Sequence, residues 1–164
     1  MISWECLAIA IYGHSNGGLL VGAVLTQRPD LFGVAVANAG HYDMLRYHRF
    51  TVGAGWIPEY GSPDDPRAFS SLRAYSPLHN VRADVCYPAT LLLAADHDDR
   101  VVPAHAYKFA AALQAAQSCD RPNLLRVARQ ASHSYASKNT RVAELADMWA
   151  FIAAAMKPAV AFAR

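Results

Sequence analysis

The chain lacks most of what would make it a disulfide scaffold, a zinc module, a membrane protein or a nucleic-acid binder. It has only three cysteines, Cys6, Cys86 and Cys119, an odd number with no CxxC spacing. Neither a disulfide framework nor a zinc site is therefore expected, and a reducing compartment is the preference. It also lacks any block of like charge. Its 15 basic and 13 acidic residues are scattered, for a net charge of +2, so neither nucleic acid nor a membrane surface is an expected partner. The apolar stretch Met1 to Ile11 has no basic n-region and carries Glu5, against a secretory signal. The run Phe151 to Met156 falls far short of the ~20 apolar residues that cross a bilayer. No internal repeat or low-complexity segment is visible. A soluble, cytoplasmic protein is expected, and the composition carries no signal of oligomeric state.

What is present is apolar and patterned. With 54% hydrophobic and 17% charged residues in 164, the chain reads as one globular domain, 1–164, able to bury a core. Leu7 to Tyr12 is a short apolar run ending at Gly13, as in a strand covered on both faces. From Asn16 to Gln27, Leu19, Leu20, Ala23, Val24 and Leu25 recur at helical spacing, and the pattern stops before Arg28-Pro29. Val34 to Ala37, Ala89 to Ala95 and Asn123 to Ala128 predict further strands; Ala104 to Gln117 and Asn139 to Met156 predict helices. The stretch from Gly40 to Pro88, rich in proline and aromatics, reads as short helices and loops shaping a pocket, without a core of its own. This alternation predicts an α/β fold, a mostly parallel sheet with helices on both faces and functional groups in loops at the carboxyl ends of strands.

Gly13-His14-Ser15-Asn16-Gly17 is a GxSxG motif placed between a predicted strand and a predicted helix. A tight strand-to-helix turn strains the serine backbone and brings neighbouring chains close, hence small residues on both sides. The Asn16 backbone N–H and the positive end of the helix would favour an oxyanion beside Ser15. The plain alternative is that Ser15 only caps the helix. A serine nucleophile needs a base, and the base an orienting acid. The strand Ala89 to Ala95 runs into Asp96-His97-Asp98-Asp99-Arg100, and the strand ending near Ala128 is followed by Ser132-His133-Ser134. The order Ser, Asp, His is that of α/β-hydrolases. Residue patterns leave Asp96, Asp98 and Asp99 equivalent. His79, His97 and His105 read as surface or structural side chains, and a metal site at His97 lacks a second histidine at ligand spacing.

Five blocks in order resemble the prolyl oligopeptidase family: Ser15-Asn16-Gly17-Gly18-Leu19-Leu20-Val21, Gln27-Arg28-Pro29-Asp30-Leu31-Phe32-Gly33, Asp43-Met44-Leu45-Arg46-Tyr47-His48, Tyr75-Ser76-Pro77-Leu78-His79-Asn80-Val81 and Ala95-Asp96-His97-Asp98-Asp99-Arg100-Val101-Val102-Pro103. The resemblance implies the C-terminal part of a peptidase catalytic domain, a partial α/β-hydrolase fold without the family's β-propeller. It implies Ser15 as nucleophile, Asp98 as orienting acid, His133 as general base and Asn16 as backbone oxyanion donor. Arg100 matches an arginine that anchors a substrate carbonyl, and Trp56, Tyr60 and Val101 match the lining of a proline-specific pocket. Cleavage of short peptides after proline follows, with no metal or organic cofactor. The other readings are an esterase-type acyl hydrolase on the same fold and a non-catalytic fragment.

The chain departs from the family pattern at His14, Ser132 and Ser134, where glycines are usual, and at His41, where an apolar pocket residue is usual. Those changes are expected to crowd the serine turn, alter the His133 loop and make the pocket more polar. A second oxyanion donor, an upstream tyrosine in the family, lies outside the chain. The strand Leu7 to Tyr12, internal in the family sheet, is expected to be an exposed edge.

Overall fold

The structure is a computed structural model and describes residues 9–156. Four strands form one parallel sheet in the order β1-β2-β3-β4: β1 Ala10–His14, β2 Val34–Asn38, β3 Ala89–Ala95 and β4 Asn123–Ala128. Helices α1 (Asn16–Gln27), α4 (Ala104–Ala116) and α5 (Lys138–Met156) alternate with them, and two short helices, α2 (Ile57–Tyr60) and α3 (Pro66–Tyr75), lie between β2 and β3. This is the α/β arrangement read from the sequence, the last helix starting one residue earlier than predicted. Ile11, Ala35, Ala37, Leu92, Ala94 and Leu125 face α1 and α4, which bring Val21, Leu25, Phe109 and Leu113. Val34, Val36, Ala89, Leu91 and Leu93 face α5, which brings Met148, Phe151 and Ile152. Every side chain of β3 is buried, as a strand covered on both faces requires.

The first strand corrects the predicted range Leu7 to Tyr12. It runs on through Gly13 to His14, while Leu7 and Ala8 lie outside the described residues. Gly13 does not end the strand; it lets the strand pass against α1, since a Cβ there would sit 2.1 Å from the Gly17 carbonyl oxygen. Among the described residues β1 pairs with β2 alone, and Ile9 just before it and Tyr12 within it are exposed.

The stretch between β2 and β3 is also corrected: it has a small core of Met44, Tyr47 and Leu72 closed by Leu19 of α1, with Leu45, Trp56, Ile57 and Tyr60 packed around it. The polar anchor of this segment is Asp43, fully buried, its carboxylate accepting from Lys108 of α4 and from Arg46 at 3.2 Å. The Asp43 backbone N–H donates to His105 Nδ1 at 3.1 Å, and the Met44 N–H donates to Ser76 Oγ at 3.0 Å. Burial pushes the Asp43 carboxyl up in pKa, but Lys108, Arg46 and His79 together outweigh it and hold the group below the usual carboxylate range. Asp43→Ala is expected to lower unfolding free energy by about 1–2 kcal/mol, because it removes the carboxylate that pairs with the partly exposed Lys108 ammonium and the exposed Arg46 guanidinium. A urea midpoint unchanged from the parent would show that the ion pair contributes nothing.

Cys86 and Cys119 form a disulfide with Cα atoms 5.3 Å apart, contrary to the reading of the cysteines as unpaired. Their spacing matches no sequence motif. They meet because a parallel bridge between Val85 and Gln117 sets the chain entering β3 beside the end of α4. With this bond present the cysteines give no reason to prefer a reducing compartment. Closing a loop over a separation of 33 residues is expected to stabilise by about 3–4 kcal/mol. Urea unfolding with and without reductant measures it, and coincident curves would show the bond to be energetically silent.

Candidate active site

The loops following β1, β3 and β4 leave the sheet at the same edge and bring Ser15, Asp98 and His133 together. His133 Nε2 lies 2.9 Å from Ser15 Oγ, and His133 Nδ1 lies 2.7 Å from Asp98 Oδ2. The other carboxylate oxygen, Asp98 Oδ1, accepts from the backbone N–H groups of Arg100 at 3.0 Å and Val101 at 2.7 Å. Asp98 is 3% exposed. A carboxylate tied by two backbone donors can turn only one oxygen to the imidazole, so it holds His133 Nδ1 as the protonated nitrogen and leaves the Nε2 lone pair facing Ser15.

Ser15 has φ 58° and ψ −119°, a strained conformation for a side-chain-bearing residue, and its hydroxyl makes no capping bond to α1. The helix-cap alternative therefore fails. The Ser15 N–H donates to the Asn38 carbonyl oxygen at 2.9 Å, clamping the turn to β2. Gly18 lets α1 start against β2, since a Cβ there would sit 2.5 Å from the Asn38 oxygen; Gly17 of the motif faces open space. The expected need for small residues on both sides thus falls on Gly13 and Gly18. Asn16 is the first residue of α1, where a backbone N–H has no intrahelical acceptor.

Of the remaining aspartates, Asp96 contacts His97 at 2.7 Å and accepts from the Ala131 N–H at 3.3 Å, which ties the β3 and β4 loops together. The His97 contact holds the Asp96 pKa down. Trp56, Tyr60, Arg100 and Val101 all gather at this edge. The Arg100 guanidinium lies 6.0 Å from the Trp56 ring centroid, and its backbone continues the Asp98 turn. Tyr60 donates its hydroxyl to Asn16 Oδ1 at 2.9 Å, joining α2 to the start of α1. Val101 is buried against the Asp98 carboxylate. Val52, Gly55, Trp56, Asp99 and Arg100 line an open groove of about 400 Å³.

The departures from the family pattern fall around these groups. His14 does not block the serine turn; its ring lies 4.9 Å from that of His133, tilted by 38°, and burial and then the neighbouring imidazole lower its pKa. Ser132 exchanges hydrogen bonds with the Tyr135 backbone, its N–H donating at 2.7 Å and its hydroxyl accepting at 3.3 Å, so this serine builds the turn bearing His133. Ser134 is exposed. His41 is buried against Trp56. Sequence reasoning missed Asn38, whose backbone oxygen carries no residue-type signal, and the Asp43–Lys108 pair, whose members are 65 positions apart.

The family model described as prolyl oligopeptidase matches residues 7–159. A prolyl endopeptidase of Elizabethkingia meningoseptica is 53% identical over 146 residues, covering 87% of this chain and 21% of that protein. Prolyl oligopeptidase A of Amanita bisporigera is 48% identical over 151 residues, covering 90% and 20%. Among solved structures, prolyl oligopeptidase B from Galerina marginata bound to a 35mer hydrolysis and macrocyclization substrate superposes with TM-score 0.83 at 40% identity, covering 90% of this chain and 21% of that one. A post-proline cleaving enzyme from Rickettsia typhi superposes with TM-score 0.86 at 32% identity, covering 92% and 22%. The chain thus spans about a fifth of the length of the relatives it matches.

Proposed function

This chain belongs to the prolyl oligopeptidase family, and we propose that residues 1–164 are the C-terminal part of the catalytic domain of a serine peptidase that cleaves short peptides after proline. The observation that carries the reading is the unbroken series of hydrogen bonds from Ser15 Oγ through His133 to Asp98.

Ser15 is the nucleophile. His133 Nε2 takes its proton as the oxygen attacks the substrate carbonyl, and Asp98 stabilises the resulting imidazolium. The oxyanion is held by the Asn16 backbone N–H at the positive end of α1; one such donor is worth about 2.7–4 kcal/mol in the transition state. His133 then protonates the leaving amine, and water hydrolyses the acyl-enzyme. Trp56 offers a flat face to the pyrrolidine ring, Tyr60 and Val101 complete the pocket, and Arg100 anchors a substrate carbonyl as a fixed donor.

Labelling with a fluorophosphonate tests activation of Ser15 without requiring a complete substrate pocket. Labelling at Ser15 is expected, together with a higher kcat/KM for a prolyl amide than for a simple ester. Ester turnover with no amide turnover would reassign the site to a general acyl hydrolase.

A further inference from the structure

His41 sits in the loop after β2, next to Gly40. That loop presses on the serine-bearing turn: a Cβ on Gly40 would lie 2.6 Å from the Gly18 carbonyl carbon and 2.7 Å from the Leu19 nitrogen. His41 is 3% exposed, and neither ring nitrogen has a hydrogen-bond partner among the described residues. Its ring meets Trp56 edge-on at 4.6 Å and lies 6.1 Å from Tyr60 and 5.6 Å from His105.

No neighbour among the described residues is hydrogen-bonded to it. The Tyr60 hydroxyl is given to Asn16, and His105 Nδ1 accepts the Asp43 N–H. Burial, followed by His133, lowers the His41 pKa to about 4, so at neutral pH the ring carries one N–H donor and one lone pair. A buried donor and acceptor left unpaired is costly in the free protein, and a ligand group that can pair with either ring nitrogen, donating to one or accepting from the other, relieves part of the cost. A hydroxyl is that group.

We propose that His41 is a specificity-determining residue selecting peptides in which the residue on the acyl side of the cleaved bond is a proline bearing a ring hydroxyl. The inference rests on the reading of Trp56, Tyr60 and Arg100 as a pyrrolidine pocket. The aromatic faces take the ring. With the ring against Trp56, the hydroxyl exchanges a hydrogen bond with the imidazole that meets the Trp56 ring edge-on at 4.6 Å. A site built to bond a substrate hydroxyl discriminates against the analogue lacking it.

The test compares two active-site phosphonates, one built on 4-hydroxyproline and one on proline, by their second-order rates of Ser15 labelling. In the parent chain the hydroxylated probe is expected to react about threefold to tenfold faster, the range of one neutral hydrogen bond. In His41→Val the ratio is expected to fall to about one or below, the prolyl probe gaining. A parent ratio of one or less overturns the proposal, whatever the fate of the variant, and so does a ratio that survives His41→Val. A generic fluorophosphonate separates the two levels. If it labels Ser15 while the ring hydroxyl has no effect, only the His41 assignment fails; if no probe labels Ser15, the peptidase reading fails with it.

Discussion

Asp98→Asn is expected to slow fluorophosphonate labelling of Ser15 at neutral pH by about 10⁴-fold while leaving the fold intact, the effect of such an exchange in a serine-histidine-aspartate site. The cause is the fixed environment of the side chain. One Asp98 oxygen accepts from the N–H groups of Arg100 and Val101 at 3.0 and 2.7 Å. In asparagine the oxygen must stay with those two donors, since an NH₂ group there would face them donor to donor. The NH₂ therefore turns to His133 Nδ1, now 2.7 Å from a carboxylate oxygen. The imidazole answers by accepting at Nδ1 and carrying its proton on Nε2, toward Ser15, where it cannot take the serine proton. Full-rate labelling of the asparagine variant would remove Asp98 from the mechanism. Asp98→Ala separates charge from tautomer: it removes the carboxylate without imposing the wrong proton position, so it is expected to be less impaired than the asparagine variant.

Ser15→Ala and Ser15→Gly are both expected to lose labelling completely, yet to differ in stability in the reverse of the usual order. Both remove the hydroxyl that contacts His133 at 2.9 Å. Elsewhere glycine destabilises relative to alanine, by about 0.5–1 kcal/mol, through the entropy of the unfolded chain. At φ 58° and ψ −119° a Cβ is strained and glycine is not. The glycine variant is therefore expected to unfold at higher urea than the alanine variant, by about 1 kcal/mol. Equal midpoints, or the ordinary order, would mean that the turn stores no strain. Retained labelling in either variant would place the nucleophile elsewhere.

The groups at the edge of the sheet were legible in unequal measure. Ser15 and His133 could be named from motif and chain order, because a GxSxG turn after a strand and a histidine before the last helix carry local signals. Asp98 could not be separated from Asp96 and Asp99 by pattern. Family resemblance singled it out, and in the structure it is the one whose carboxylate reaches His133. The helices and inner strands were read within a residue or two, since apolar periodicity is a local property of the chain. The range of β1 was misjudged because Gly13, a turn signal in sequence, here answers to the backbone of α1 packed against it.

The sequence by itself determined the alternation of strands and helices, the apolar faces that stack them, and the residue types available for chemistry, because each of these depends on neighbours within a few positions. Tertiary structure alone decided that Cys86 reaches Cys119, that Asp43 is neutralised by Lys108, and that both nitrogens of His41 are buried without a partner among the described residues. These depend on which distant side chains share a volume from which water is excluded. No local pattern encodes that.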